Sequence, residues 1–164
     1  MIMSIATTEH TLKAFDTDLQ ELTRMIAEMG GYAERQIIEA IDALSKRDRE
    51  HGQQVVAGDA YLDVHQREVE QKAIETIATR QPMAVDLREI VGAMRIANDL
   101  ERIGDLAKNI GKRVGALNGE NMPRRALRGV NQTANVSAKS SSGCFCAYQP
   151  AMWRTCLRLN GTGR

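Results

Sequence analysis

The chain of 164 residues is 43% hydrophobic and only 4% aromatic, and its 22 basic and 21 acidic side chains leave a formal charge of +1. That length buries one core and argues for a single domain. No apolar run approaches the roughly 18 residues of a membrane span and no leader pattern opens the chain, so a cytoplasmic protein is expected.

The near-neutral total hides an asymmetry. Up to Glu120 the chain holds 15 basic and 21 acidic residues; after it come seven basic residues and no acidic one. An acidic body poor in aromatics argues against nucleic-acid binding, and the basic charges of the tail are too dispersed to make a patch.

In chain order, residues 9–47 form the first expected helix. Leu12, Phe15, Leu19, Leu22, Ile26, Met29 and Ala33, then Ile37, Ile41 and Leu44, follow the 3-4 alternation of a bundle helix. Gly30 and Gly31 interrupt it. Each costs about 1 kcal/mol relative to Ala inside a helix, which predicts a kink, a close helix approach or a break. A second helix is expected over 48–79, with Val55, Leu62, Gln66, Val69, Ala73 and Ile77 as its seam. Arg80, Gln81 and Pro82 end it, since proline suits a first helical turn and not a helix interior.

The third helix is expected over 82–114, with Ile96, Leu100, Ile103, Ala107, Ile110 and Val114 on one side. Gly115, Asn118 and Gly119 supply stop signals. Three long helices with short joints predict an all-α, antiparallel up-down-up bundle. Residues 1–128 then comprise the bundle and the start of a fourth helix. Residues 129–164 form a basic tail that loses helical periodicity and reads as poorly packed. The tail holds Cys144, Cys146 and Cys156, an odd set that suits no disulfide framework and makes only a weak metal pattern.

The stretch "RIANDLERIGDLAKNI", residues 95–110, places three carboxylates in the middle of the third helix. Asp99 falls near Arg95 and Arg102, the spacing of a surface ion pair. Glu101 and Asp105 lie about 40° apart on a helical wheel and point away from the isoleucine stripe. Asp59 and Asp63 repeat the same i,i+4 spacing on the second helix. If the two helices fold back at Gln81–Pro82, residue n stands level with about residue 163 − n, and the two pairs reach one height. Two readings stay open: a solvated face with Lys108 and Lys112 as neighbours, or a surface cation site. Oxygen ligands of that kind suit magnesium, manganese or iron.

Four stretches carry a family resemblance: "MGGYAERQIIEAIDAL", "GDAYLDVHQREVE", "IATRQPMAVDLREIV" and "DLERIGDLAKNI". Together, over roughly residues 9–128, they resemble the PhoU family of regulators of bacterial phosphate uptake. The family's acidic signature corresponds to Glu101 and Asp105, with Asp59 and Asp63 as the helix-two counterpart. The resemblance implies metal clusters on three-helix bundles in a cytoplasmic, usually dimeric, negative regulator. It implies partnership with the phosphate ABC transporter and its membrane-bound sensor histidine kinase, with membrane association only through those partners.

The sequence departs from that pattern. Family members carry two tandem bundles, and here the family-like sequence gives way near Val130 to the basic tail, which suggests a truncated or frameshifted product. No catalysis is expected. A di-iron carboxylate enzyme would want Glu-x-x-His pairs, and His10, His51 and His65 have no Glu three residues earlier. The remaining alternative is a structural or adaptor bundle without bound metal. Arg80, Asp86 and Arg88, near the joint of helices two and three, read as capping and ion-pair residues.

Overall fold

The computed structural model describes the backbone of residues 3–117, 128–130 and 132–133, and the side chains from residue 15 onward within those stretches. Three helices follow one another: α1 (Met3–Lys46), α2 (Arg49–Arg80) and α3 (Val85–Ala116). They pack antiparallel as an all-α bundle, and the described residues contain no strand. None of these helices is long and apolar enough to cross a membrane.

Both joints are tight and built without glycine. Arg47 takes a left-handed backbone, φ 57°, and the Asp48 N–H donates back to the Ala43 carbonyl at 2.9 Å, closing α1. The Asp48 carboxylate then caps α2 by accepting from the His51 N–H at 3.0 Å. At the other joint Gln81 is left-handed and its N–H donates to the Ile77 carbonyl. Pro82 therefore serves as the stop after a helix cap and not as the first turn of α3. Helix α3 begins at Val85, after Ala84 at φ 47°.

Most buried positions follow a 3-4 spacing, with one seven-residue step in α2 where Gln66 is only partly buried. In α1 the line is Leu19, Leu22, Ile26, Met29, Ala33, Gln36, Ala40 and Ala43, with Gly30 and Leu44 buried beside it. In α2 they are Gly52, Val55, Asp59, Leu62, Val69, Ala73 and Thr76. In α3 the run is Ile90, Ala93, Ala97, Leu100, Gly104, Ala107, Gly111 and Val114.

This corrects the expected seams in one respect. Ile37, Ile41, Ile96, Ile103 and Ile110 flank the central line, while alanines and glycines occupy it. Small residues let the backbones approach, and the branched side chains close the edges. Large residues dominate the end near the α2–α3 joint, where Leu22, Ile26 and Met29 meet Leu62, Val69, Ile90 and Leu100.

Near the α1–α2 joint α2 and α3 approach backbone to backbone. A β-carbon built on Gly111 would stand 2.7 Å from the Gly52 carbonyl oxygen. One on Gly104 would stand 3.4 Å from Asp59 Oδ1. Gly52 thus faces Gly111 and Asp59 faces Gly104, the register read from the sequence. The Gly30–Gly31 pair leaves α1 unbroken, and nothing lies within 4 Å of a β-carbon on Gly31.

Helices α1 and α2 are also pinned by charge. Lys72 donates to Asp18 at 2.9 Å and pairs with Glu21 at 2.6 Å, while Arg80 Nε reaches Asp18 at 3.1 Å. Residues 128–130 and 132–133 are helical, and Val130 packs against Ala43, Leu44 and Val114. The cysteines and most of the basic tail lie outside the described residues.

Candidate functional site

Glycines at 104 and 111 draw the α3 seam to one side, and this decides where the acidic residues fall. Glu101, Asp105 and Lys108 line one edge of that seam, facing α2. Across from them Asp59 occupies a central position of its own helix and is only 3% exposed. The cluster is therefore partly within the bundle, a correction to the expected surface site. Glu101, Asp105 and Asp63 are half-buried at its mouth.

Lys108 provides the cation of this cluster. Its ammonium donates to Asp59 Oδ2 and, at 3.2 Å, to Asp105 Oδ1, joining the two helices. These two hydrogen bonds, the one to Asp59 foremost, hold the Lys108 ammonium well above the ordinary lysine range. Glu101 responds oppositely. Burial, then the charges of Asp105 and Asp63, a hydrogen bond with Asp105 and the charge of Asp59 push its carboxyl above the usual carboxylate range. All four sequence-derived carboxylates thus share one electrostatic neighbourhood, with Asp59 and Asp105 in direct contact with Lys108. Asp99 lies apart, paired with Arg102 at 3.5 Å on the exposed face, as its spacing implied.

Helix α1 closes the inner side with residues that sequence reasoning missed. The Tyr32 hydroxyl donates to the Gly58 carbonyl at 3.1 Å, and its ring stacks on Tyr61 with centroids 4.2 Å apart. Tyr61 in turn meets His65 edge-on at 4.0 Å. One turn along α1, the Gln36 amide is wedged between α2 and α3. A β-carbon on Gly58 would stand 3.3 Å from Gln36 Nε2, and one on Gly104 3.1 Å from Gln36 Oε1. The missed signal was periodicity. Continuing the 3-4 count past Ala33 lands on Gln36, a polar residue at a core position.

The donor set is all oxygen and strongly anionic, which is the right chemistry for a hard or borderline metal ion. The placement suits the ammonium. Among the described residues no three His, Cys, Asp or Glu side chains are gathered into a ready-made metal site, and Lys108 lies where Asp59 and Asp105 converge. A metal ion would require Lys108 to move out.

Three long helices with paired carboxylates facing each other across two of them define a helical-bundle domain with one shared acidic site. The PhoU domain matches residues 26–114, which contain all three sides of that site. The chain belongs to the PhoU family. It is 49% identical over 128 residues to a "phosphate-specific transport system accessory protein PhoU homolog" of Rhizobium meliloti, covering 78% of this chain and 54% of that one. It is 54% identical over 106 residues to the protein of the same description from Caulobacter vibrioides, covering 65% and 46%. A third such relative, from Zymomonas mobilis, is 44% identical over 105 residues, covering 64% and 44%. The chain spans about half the length of these curated relatives.

Proposed function

We propose that the chain acts as a cytoplasmic negative regulator of phosphate uptake and of phosphate-starvation signalling. Its relatives bear the name of an accessory protein of a phosphate-specific transport system, which supports a role beside that transporter. In this reading it works as a dimer with the phosphate ABC transporter and the sensor histidine kinase, through binding and without catalysis. It reaches the membrane through those partners and binds no nucleic acid.

Asp59, Asp63, Glu101 and Asp105 would hold the metal, with iron, manganese and magnesium as the ions their oxygens suit. The observation carrying this reading is the gathering of acidic groups from α2 and α3 at one level, with Asp59 buried at its centre. A bound metal would supply positive charge there and lock the two helices together.

The test is complementation. In a strain lacking the regulator, expression of this chain is expected to restore repression of a phosphate-responsive reporter, and Asp59→Asn with Asp105→Asn to abolish it. An accumulated, folded chain that restores no repression contradicts the regulatory reading. A second reading, an adaptor bundle without metal, is favoured by Lys108, which already pairs with both Asp59 and Asp105. Metal analysis of the chain purified under mild conditions separates the two.

A further inference from the structure

The charges of α3 are sorted by sign. Of its five carboxylates only Asp99 is fully exposed; Glu89 is buried, and Asp86, Glu101 and Asp105 are half-buried. Its cations lie the other way: Arg88, Arg95, Arg102, Lys112 and Arg113 are exposed, and only Lys108 turns inward. The exposed charges of α2 are by contrast four glutamates, Glu50, Glu68, Glu70 and Glu75, against Arg49 and Arg67. The chain up to Glu120 is acidic in sum, yet α3 turns a basic face to solvent.

That face is a straight row. Arg88, Arg95 and Arg102 recur at every seventh residue, two turns or about 10.5 Å apart, and Leu106 and Arg113 continue the row, all within about 40° on the helix. Arg102 pairs with Asp99 at 3.5 Å, whereas Arg95, Arg113 and Arg88, read from the sequence as an ion-pair residue, make no ion pair among the described residues. Leu106 stands in the row 63% exposed, and Val91 and Leu87 flank it, also exposed. Four of the five exposed cations are arginine, which protein interfaces enrich while they deplete lysine. Its planar guanidinium grips a carboxylate with two hydrogen bonds.

We propose that this face of α3 is a docking surface for an acidic helix of a partner protein. It rests on the reading that the chain acts by binding a protein partner, and it is independent of any metal. Carboxylates repeated at every seventh residue of the partner helix meet Arg88, Arg95 and Arg102 in turn, while Leu87, Val91 and Leu106 receive its apolar side chains. Charge decides against the other occupants. A second copy packed α3 on α3 sets arginine against arginine. A flat anionic membrane also presses on the edge of the row, where Asp105 shares a surface depression with Arg102 and Leu106, and α3 has no aromatic residue to seat in a lipid interface.

The experiment titrates the full chain into a synthetic helical peptide as long as the row from Arg88 to Arg113, with glutamate at every seventh position and leucine beside it. A shuffled peptide of the same composition is the control, and fluorescence anisotropy follows both. Arg88→Gln, Arg95→Gln and Arg102→Gln together are expected to weaken binding of the matched peptide about tenfold, and Leu106→Ala alone several-fold. Arg24→Gln, Lys46→Gln and Arg67→Gln together remove the same charge elsewhere and are expected to change it by no more than about twofold. In the complementation strain the α3 triple variant, folded and accumulated, is expected to lose the repression that the wild type restores.

Matched and shuffled peptides bound alike, or equal losses in the two triple variants, overturn the docking surface. Binding to phosphatidylglycerol vesicles but not to the matched peptide, abolished in the α3 triple variant, overturns it in favour of a membrane. A wild-type dimer that the same variant turns into monomers in sedimentation overturns it in favour of a second copy. If the α3 triple variant keeps full repression, the docking surface falls and the regulatory reading stands. If the wild type represses nothing while the two peptides are still discriminated, the regulatory reading falls and the surface stands.

Discussion

Gly111 and Gly52 meet backbone to backbone, so close that a β-carbon on Gly111 would stand 2.7 Å from the Gly52 carbonyl oxygen. This contact brings α3 against α2 and fixes the level at which the acidic residues oppose one another. Alanine at 111 is a better helix former by about 1 kcal/mol, yet its methyl meets backbone that cannot step aside. Gly111→Ala is expected to lower stability by about 1–3 kcal/mol. Gly31→Ala, where nothing lies within 4 Å, is expected to raise it by about 0.5–1 kcal/mol. Urea unfolding of the two variants checks both signs; a stabilised Gly111→Ala would contradict the close approach.

Asp18 links the opposite end of the bundle to acid stability. Burial raises its carboxyl, but hydrogen bonds from Lys72 and Arg80 and their charges outweigh this and hold it below its ordinary 3.8. A carboxyl depressed in the fold contributes stability that is present above its unfolded value and lost as pH falls through the folded one. Asp18→Asn is expected to cost about 1–2 kcal/mol at pH 7. The gap to wild type should close as the pH falls below about 4. Unfolding midpoints of the two proteins across that range measure it, and a gap independent of pH would refute the assignment.

Glu101 carries the opposite sign. Its carboxyl is raised in the fold above its ordinary 4.5, first by burial and then by Asp105 and Asp63. The penalty is absent below the unfolded value and complete once the pH exceeds the folded one. Glu101→Gln is therefore expected to stabilise the metal-free chain by up to about 0.5 kcal/mol at neutral pH, and to have little effect near pH 4. Thermal melts in the presence of a chelator test this. Equal effects at both pH values would show that Glu101 does not feel its acidic neighbours.

Much of this was legible in the sequence. The 3-4 alternation marked three helices, and the turn at Gln81–Pro82 set a register that the Asp59–Gly104 and Gly52–Gly111 pairs obey. The exact buried line was harder to read. Following the isoleucines at 37, 41, 96, 103 and 110 moves the α1 and α3 seams by one residue at those positions, because bulk at the rim looks like bulk at the centre. That shift on α1 hid Gln36, while on α2 the count from Val55 to Leu62 passed over Asp59, which is buried between them. Lys108 was visible as a neighbour on the same face, but its reach across to α2 depends on how closely the glycines let the helices approach, a property of two chains of residues at once. The four carboxylates share one neighbourhood for the reason given by their spacing, and the cation beside them is one the spacing did not assign.

The account depends most on Asp59 of α2 and Lys108 of α3 acting as one unit across the helix interface. A double-mutant cycle with Asp59→Asn, Lys108→Met and both together, unfolded by urea in the presence of a chelator, measures this directly. The account predicts a coupling of about 2 kcal/mol, as for a hydrogen bond between charged groups with one partner buried. Single substitutions whose costs simply add, to within about 0.5 kcal/mol, would contradict it.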